Sequence, residues 1–178
     1  MKKLLAVALG CMLFSGATAS SWIEVNEDEE GTTSVNVEDL KKERIKNIQS
    51  VGAWVKSIYK VPQTNKELGN GEPITEFRTM RWYQCQGRRI SDPVEITFYG
   101  FNGEVIDSYS EETSRPSFKH VTPDTIESNI HTVVCMMDLT NQIEKLKERG
   151  PVSEYDYRRL KNEYPYQFKL IQEYKNSN

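Results

Sequence analysis

Cys85 and Cys135 constrain this chain more than any other feature, because the only other cysteine, Cys11, lies in an N-terminal export segment. Cys85 ends Met80–Arg81–Trp82–Tyr83–Gln84, a strand-like run, whereas Cys135 sits in an apolar stripe of helical spacing. A bond between them staples a helix to a sheet. In the chain-entropy account, closing a loop of about 50 residues stabilises a fold by roughly 4 kcal/mol, comparable with the net stability of many domains. An even cysteine count in an exported chain points to a disulfide rather than to a metal site or a nucleophile.

Export is read from residues 1–19. Met1–Lys2–Lys3 is a basic n-region, Leu4 to Phe14 is an apolar core interrupted by Gly10, and Ala17–Thr18–Ala19 is a small-x-small cleavage site before Ser20. The competing reading is lipoprotein processing at Cys11. That signal is unusually short, and cleavage after Ala19 gives an ordinary length. The apolar run is also too short for a retained membrane helix, and no other stretch approaches spanning length. The expected product has no membrane span and resides in the periplasm or at the cell surface. Of the 178 residues, 159 then remain, which suits one domain with an appendage. Loss of Lys2 and Lys3 leaves 21 basic against 26 acidic residues, a net charge of about −5. That is not the balance of a nucleic-acid binder, and Arg78, Arg81, Arg88 and Arg89 read as a solvated face.

Along the chain, Trp22–Ile23–Glu24–Val25 alternates as a half-buried strand does, the acidic Asn26–Gly31 stretch reads as a solvated turn, and Thr32 to Val37 pairs back as a hairpin. Glu38 to Lys46 reads as a turn or a single helical turn. Residues 45–60 are ambiguous: Ile45, Ile48, Val51, Trp54 or Val55, and Ile58 recur at helical spacing, yet Val51, Ala53, Val55 and Tyr59 share one side of a strand. Periodicity alone tips this stretch toward helix. Pro62 to Pro73 reads as a long loop. The run from Thr75 to Cys85 is a long strand, and Asn102–Gly103 joins two more over residues 94–110. Ser110 to Ser117 is a polar connection, and Phe118 to Val121 an edge segment. Thr122–Pro123–Asp124 looks like a helix start with a hydroxyl cap and proline at the first position. The apolar spacing then runs through Ile126, Ile130, Val134 and Leu146 to the stop at Gly150–Pro151. Ser153 to Asp156 resembles a capping box opening a further helix, which Pro165 divides. The expected class is α+β, an antiparallel sheet with a helix disulfide-tethered across one face and a C-terminal helical extension.

Catalytic constellations do not assemble from these residues. The exported chain holds only His120 and His131, and both cysteines are assigned to the bond. His131 and Cys135 stand four apart, a spacing metal sites use, but no further ligands present themselves and oxidation of Cys135 removes the pair. The glycines precede no Lys-Ser/Thr phosphate loop. The expectation is a protein without catalytic residues, metal or cofactor.

The order of features resembles one known family. Trp22–Ile23–Glu24–Val25, Ser34–Val35–Asn36–Val37, a Trp54-centred segment, the Cys85 strand with Arg88–Arg89–Ile90, the Gly103 hairpin, Val121–Thr122–Pro123 and Cys135 together resemble the bacterial surface-adhesin protein E family over roughly residues 22–135. The resemblance implies an antiparallel sheet of about six strands, a helix held across its concave face by the disulfide, and a strand rather than a helix at Gln49–Tyr59. Phe118 stands where the family has Trp, Thr125 stands where it has Ser, and residues 136–178 extend past its ending. The implied organisation is a signal peptide at 1–19, an adhesin E-like domain at 20–135 and a helical extension at 136–178. The implied function is binding of host matrix or plasma proteins through exposed sheet and loops. A second expectation is a periplasmic accessory protein docking an envelope partner through the extension, whose aromatic stripe comprises Tyr155, Leu160, Tyr164, Phe168, Ile171 and Tyr174.

Overall fold

The computed structural model describes residues 21–64, 71–110 and 116–177. The export segment with Cys11 and the Ala19 cleavage site lies outside the described residues, as do 65–70 and 111–115 within the two expected connections. The strands are β1 (Trp22–Glu27), β2 (Gly31–Asn36), β3 (Lys41–Ile45), β4 (Ile48–Thr64), β5 (Pro73–Gln84), β6 (Arg89–Ser91), β7 (Glu95–Tyr99), β8 (Val105–Ser110) and β9 (Phe118–His120). Three helices follow among the described residues: α1 (Ile126–Lys147), α2 (Glu154–Glu163) and α3 (Pro165–Asn176).

All nine strands of the described residues belong to one antiparallel sheet whose continuous path is β1-β2-β4-β5-β6-β9. β4 and β5 form its spine, with Val51 opposite Tyr83 and Val55 opposite Thr79. Each spine strand has a divided outer edge. β3 and β2 share that of β4, and β6 and the β7–β8 hairpin share that of β5. The path therefore holds six strands, and β3, β7 and β8 are branches from it.

Several sequence expectations change here. Residues 45–60 are not helical, because pairing along both edges of β4 outweighs a periodicity produced by apolar residues on both of its faces. Glu38 to Lys46 is not a helical turn. It contributes β3, which enters β4 through Lys46 and Asn47, both left-handed with φ of 51° and 64°. Two such residues make the primed turn that hairpin twist demands, here without glycine. The loop after β4 is shorter than Pro62–Pro73, since the strand continues past a register irregularity to pair Gln63 with Ile74. Helix α1 starts three residues later than the Pro123 signal suggests. Asp124 is left-handed at φ 59°, and Thr125, in extended backbone, accepts a hydrogen bond from Ser128 N through its own hydroxyl. The Asn102–Gly103 hairpin, the Ser153 cap and the division at Pro165 lie where the sequence placed them.

Helix α1 packs across β1, β2, β4 and β5. Ile130, Val134 and Leu139 of the helix join Val25, Val35, Val51, Val55, Tyr83 and Ile90 of the sheet in one buried cluster. The Cys85–Cys135 disulfide crosses this layer, with both residues buried and their Cα atoms 5.6 Å apart. Beyond α1, the same sheet face carries a cross-strand ladder, Tyr59–Phe77–Phe98–Tyr109, whose neighbouring ring centroids are 5.6, 6.4 and 6.2 Å apart. Replacing either cysteine with Ser is expected to lower unfolding free energy by about 2–5 kcal/mol, read by denaturant titration. Alkylation of the native protein without reductant should label neither Cys85 nor Cys135.

Candidate functional site: the sheet face opposite the helix

Side chains alternate across a strand, so register assigns every position to a face. Val51, Ala53 and Val55 turn toward α1. Gly52, Trp54, Lys56 and Ile58 therefore turn away, together with their register partners Trp82, Met80, Arg78 and Glu76 on β5 and Tyr99 opposite Glu76 on β7. Trp22 joins them from β1, because Lys56 Nζ lies 4.5 Å and Arg78 Cζ 5.7 Å from its ring centroid. All three tryptophans of the chain thus stand on this face, each half-buried.

Local geometry explains how the rings are held. A Cβ at Gly52 would come within 2.9 Å of the Trp82 ring and 2.4 Å of Met80 Cε, so the missing side chain lets Trp82 lie close against the sheet. Arg78 is fixed from three directions: its Nε donates to Glu76 at 2.6 Å, and its guanidinium lies over both Trp22 and Tyr99, 4.6 Å from the latter centroid. Beside it, under the β7–β8 turn, is a cavity of about 260 Å³ lined by Ile58, Thr75, Glu76, Arg78, Tyr99 and Phe101 among others. Rings, two cations and a side-chain-sized hollow are the means of binding a partner.

The remaining sequence candidates are scattered. Arg81 pairs with Ala53 on the helix side of the sheet and Arg89 sits in β6, so the four arginines form no continuous patch. Arg88 is drawn inward, donating to Ser128 Oγ at 3.2 Å and stacking 4.1 Å over Tyr166. His131 is fully buried, with Nε2 3.3 Å from the Gln84 carbonyl and 3.7 Å from Cys135 Sγ. Cys135 is bonded to Cys85 and offers no thiolate. Burial pushes the His131 pKa down to about 4, with Arg88 adding to the effect against the Gln84 hydrogen bond.

The aromatic stripe of the extension divides. Leu160, Tyr164 and Phe168 are inside the protein's own core, Ile171 is half-buried against it, and Tyr155 and Tyr174 are exposed. Tyr164, at the α2–α3 junction, donates its hydroxyl to Asp138 of α1, and Gln142 donates to Tyr164 in turn. Asp138 is fully buried and forms an ion pair at 2.6 Å with Lys42 of β3. Burial and the facing Asp138 carboxylate push the Tyr164 phenol well above its usual range.

The sequence profile of the surface-adhesin protein E family matches residues 22–136. The chain belongs to that family. Two solved structures of Haemophilus influenzae protein E are similar to it, each at 15% identity and a TM-score of 0.45. One alignment covers 68% of this chain and 88% of that one, and the other, from a non-typeable strain, covers 72% and 82%. No curated protein sequence matches the chain. The adhesin E match ends inside α1, which continues without a break to Lys147.

Two measurements follow. Removing residues 151–178 strips Leu160, Tyr164 and Phe168 from the adhesin E core and uncovers Asp138. Stability should fall by several kcal/mol, on the order of 10 °C in melting temperature, and an unchanged melting temperature would show that the extension is not part of the core. For His131, the native pKa lies below the unfolded value of 6.5, so the unfolded chain takes up the proton first. Its contribution is complete above pH 6.5, is lost as pH falls toward 4, and amounts to at most about 3 kcal/mol. Urea titrations at pH 7 and 4.5 should show a smaller acid loss in His131→Gln than in the parent.

Proposed function

We propose that this protein is an exported surface adhesin that binds a protein partner through the sheet face opposite α1, without catalysing a reaction. Family membership supports the adhesin, and the placement of Trp22, Trp54 and Trp82 on one half-buried face supports the surface. A sheet that needs only solubility covers its outer face with small polar and charged side chains. Three tryptophans gathered there beside Arg78 make the composition of interface centres. The partners implied are host matrix or plasma proteins. The export signal at residues 1–19 delivers the chain across the inner membrane, and no helix of the described residues is long and apolar enough to span one. Residues 22–136 form the adhesive unit, and the rest of α1 with α2 and α3 closes its core. Docking through the extension loses support, because Leu160, Tyr164 and Phe168 are already covered.

The test is a solid-phase binding assay against purified host matrix and plasma proteins, with Trp54→Thr and Trp82→Thr introduced together. Threonine keeps strand propensity, so the pair should retain cooperative unfolding and lose at least about tenfold in affinity. Unchanged binding by the folded double variant, or protection of the protein from protease added to intact cells, would overturn the proposal.

A further inference from the structure

We infer that the Arg78 end of this face is a carboxylate-recognition site, taking an acidic side chain from a peptide segment of the partner. The inference rests on the open face being the binding surface, and it names the chemistry of what binds there.

Three observations converge. Lys56 and Arg78 are direct register partners on β4 and β5, so two like charges face each other across adjacent strands. Such pairing costs stability. Here both cations lie over the Trp22 ring, and among the described residues the only carboxylate in ion-pair contact with either is Glu76, which takes Arg78 Nε. Two further carboxylates share the face without an ion-pair contact to either cation: Glu24 stands two strands from Lys56 through Ser34, roughly 10 Å away, and Glu95 on β7 stands opposite Met80, two residues along from the Thr97 that faces Arg78. Among the described residues Lys56 therefore has no carboxylate in ion-pair contact. The second observation is that the Arg78 guanidinium is ordered before any ligand arrives. Glu76 holds its Nε edge and the Trp22 and Tyr99 rings hold its plane, which leaves the terminal nitrogens as a fixed fork of the geometry that matches a carboxylate. Third, the cavity of about 260 Å³ beside that fork has room for one side chain and is lined by Thr75, Glu76 and Tyr99 as well as the exposed Ile58 and Phe101. An acidic residue with an apolar neighbour fits both parts of the lining. The protein's net negative charge, a formal −3, gives no general pull on acids, so recognition depends on this local pair.

The experiment titrates purified protein with hexaglutamate, using hexaglutamine as the uncharged control and tryptophan fluorescence, to which Trp22 contributes, as the readout. The expected result is a saturable change with hexaglutamate alone, weakened about tenfold or more by Arg78→Gln, less by Arg78→Lys, measurably by Lys56→Gln, and not at all by Lys119→Gln on β9. Should Arg78→Gln fail to unfold cooperatively, Arg78→Lys and Lys56→Gln carry the comparison. Equal responses to the two peptides, or a hexaglutamate response insensitive to Arg78 and Lys56, would overturn the inference. So would binding of a heparin hexasaccharide through Arg78 without any response to hexaglutamate, which would assign the site to sulfated glycans. The two proposals fail separately. Partner binding that needs Trp54 and Trp82 with no hexaglutamate response overturns this inference and leaves the adhesive face. A hexaglutamate response that needs Arg78, with partner binding indifferent to both tryptophans, supports the inference and overturns the wider reading.

Discussion

A single antiparallel sheet has two faces and must bury one of them to hold together. In this protein α1 does that work, and the Cys85–Cys135 bond ties it to the end of the spine strand β5. The valines of β1, β2 and β4, the Tyr83 ring and the buried His131 all depend on that helix lying where it does. Because the helix covers one side, the other side buries few apolar side chains besides Met80 beneath Trp54 and Trp82. Trp54, Lys56, Arg78 and Trp82 can then be selected for contact with something else.

A second constraint follows from Asp138. Its carboxylate is inside the protein, and a buried charge is tolerable only when it is paired and hydrogen-bonded. Lys42 supplies the charge from β3, Tyr164 supplies a hydroxyl from the α2–α3 junction, and Gln142 donates to both Asp138 and Tyr164. Two separate parts of the chain, β3 and the α2–α3 junction, are thereby fastened to one side chain of α1. The arrangement joins the extension beyond the adhesin E match to the helix-on-sheet contact, and it accounts for Lys42 lying on the helix side of a strand whose neighbours are solvated. Around this cluster the apolar contacts of Leu160 and Phe168 supply area, and Arg88 over Tyr166 adds a second clasp near the start of α1.

The two aromatic systems of the sheet differ in a way that bears on function. On the helix side, Tyr59, Phe77, Phe98 and Tyr109 meet one another in tilted and edge-on contacts across four strands, with Phe98 buried and Tyr109 exposed. On the opposite side, Trp22 and Tyr99 meet cations instead, and Trp82 fills the space above a glycine. Ring-on-ring contact stabilises a sheet. Cations held over rings, with like charges in register, do so less, and they leave hydrogen-bond donors for a partner.

What the sequence determined by itself was whatever is local or covalent. The Asn102–Gly103 hairpin, the Ser153 cap, the break at Pro165 and the pairing of Cys85 with Cys135 all follow from residues whose chemistry permits few alternatives. The α+β class and the family followed from the order of such signals. Tertiary structure decided the rest, for identifiable reasons. The primed turn at Lys46–Asn47 carries no glycine, so β3 had no local mark. Asp124 became left-handed and moved the helix start to Thr125. In β4, helical spacing came from Trp54 and Ile58, apolar residues on the face that the core does not use. That misleading periodicity was in fact the trace of the candidate site, a central strand apolar in both registers. Only register could show that Trp22, Trp54, Trp82 and Arg78, drawn from β1, β4 and β5, share one face, because pairing between strands distant in sequence is set by the packed sheet and not by any neighbouring residue.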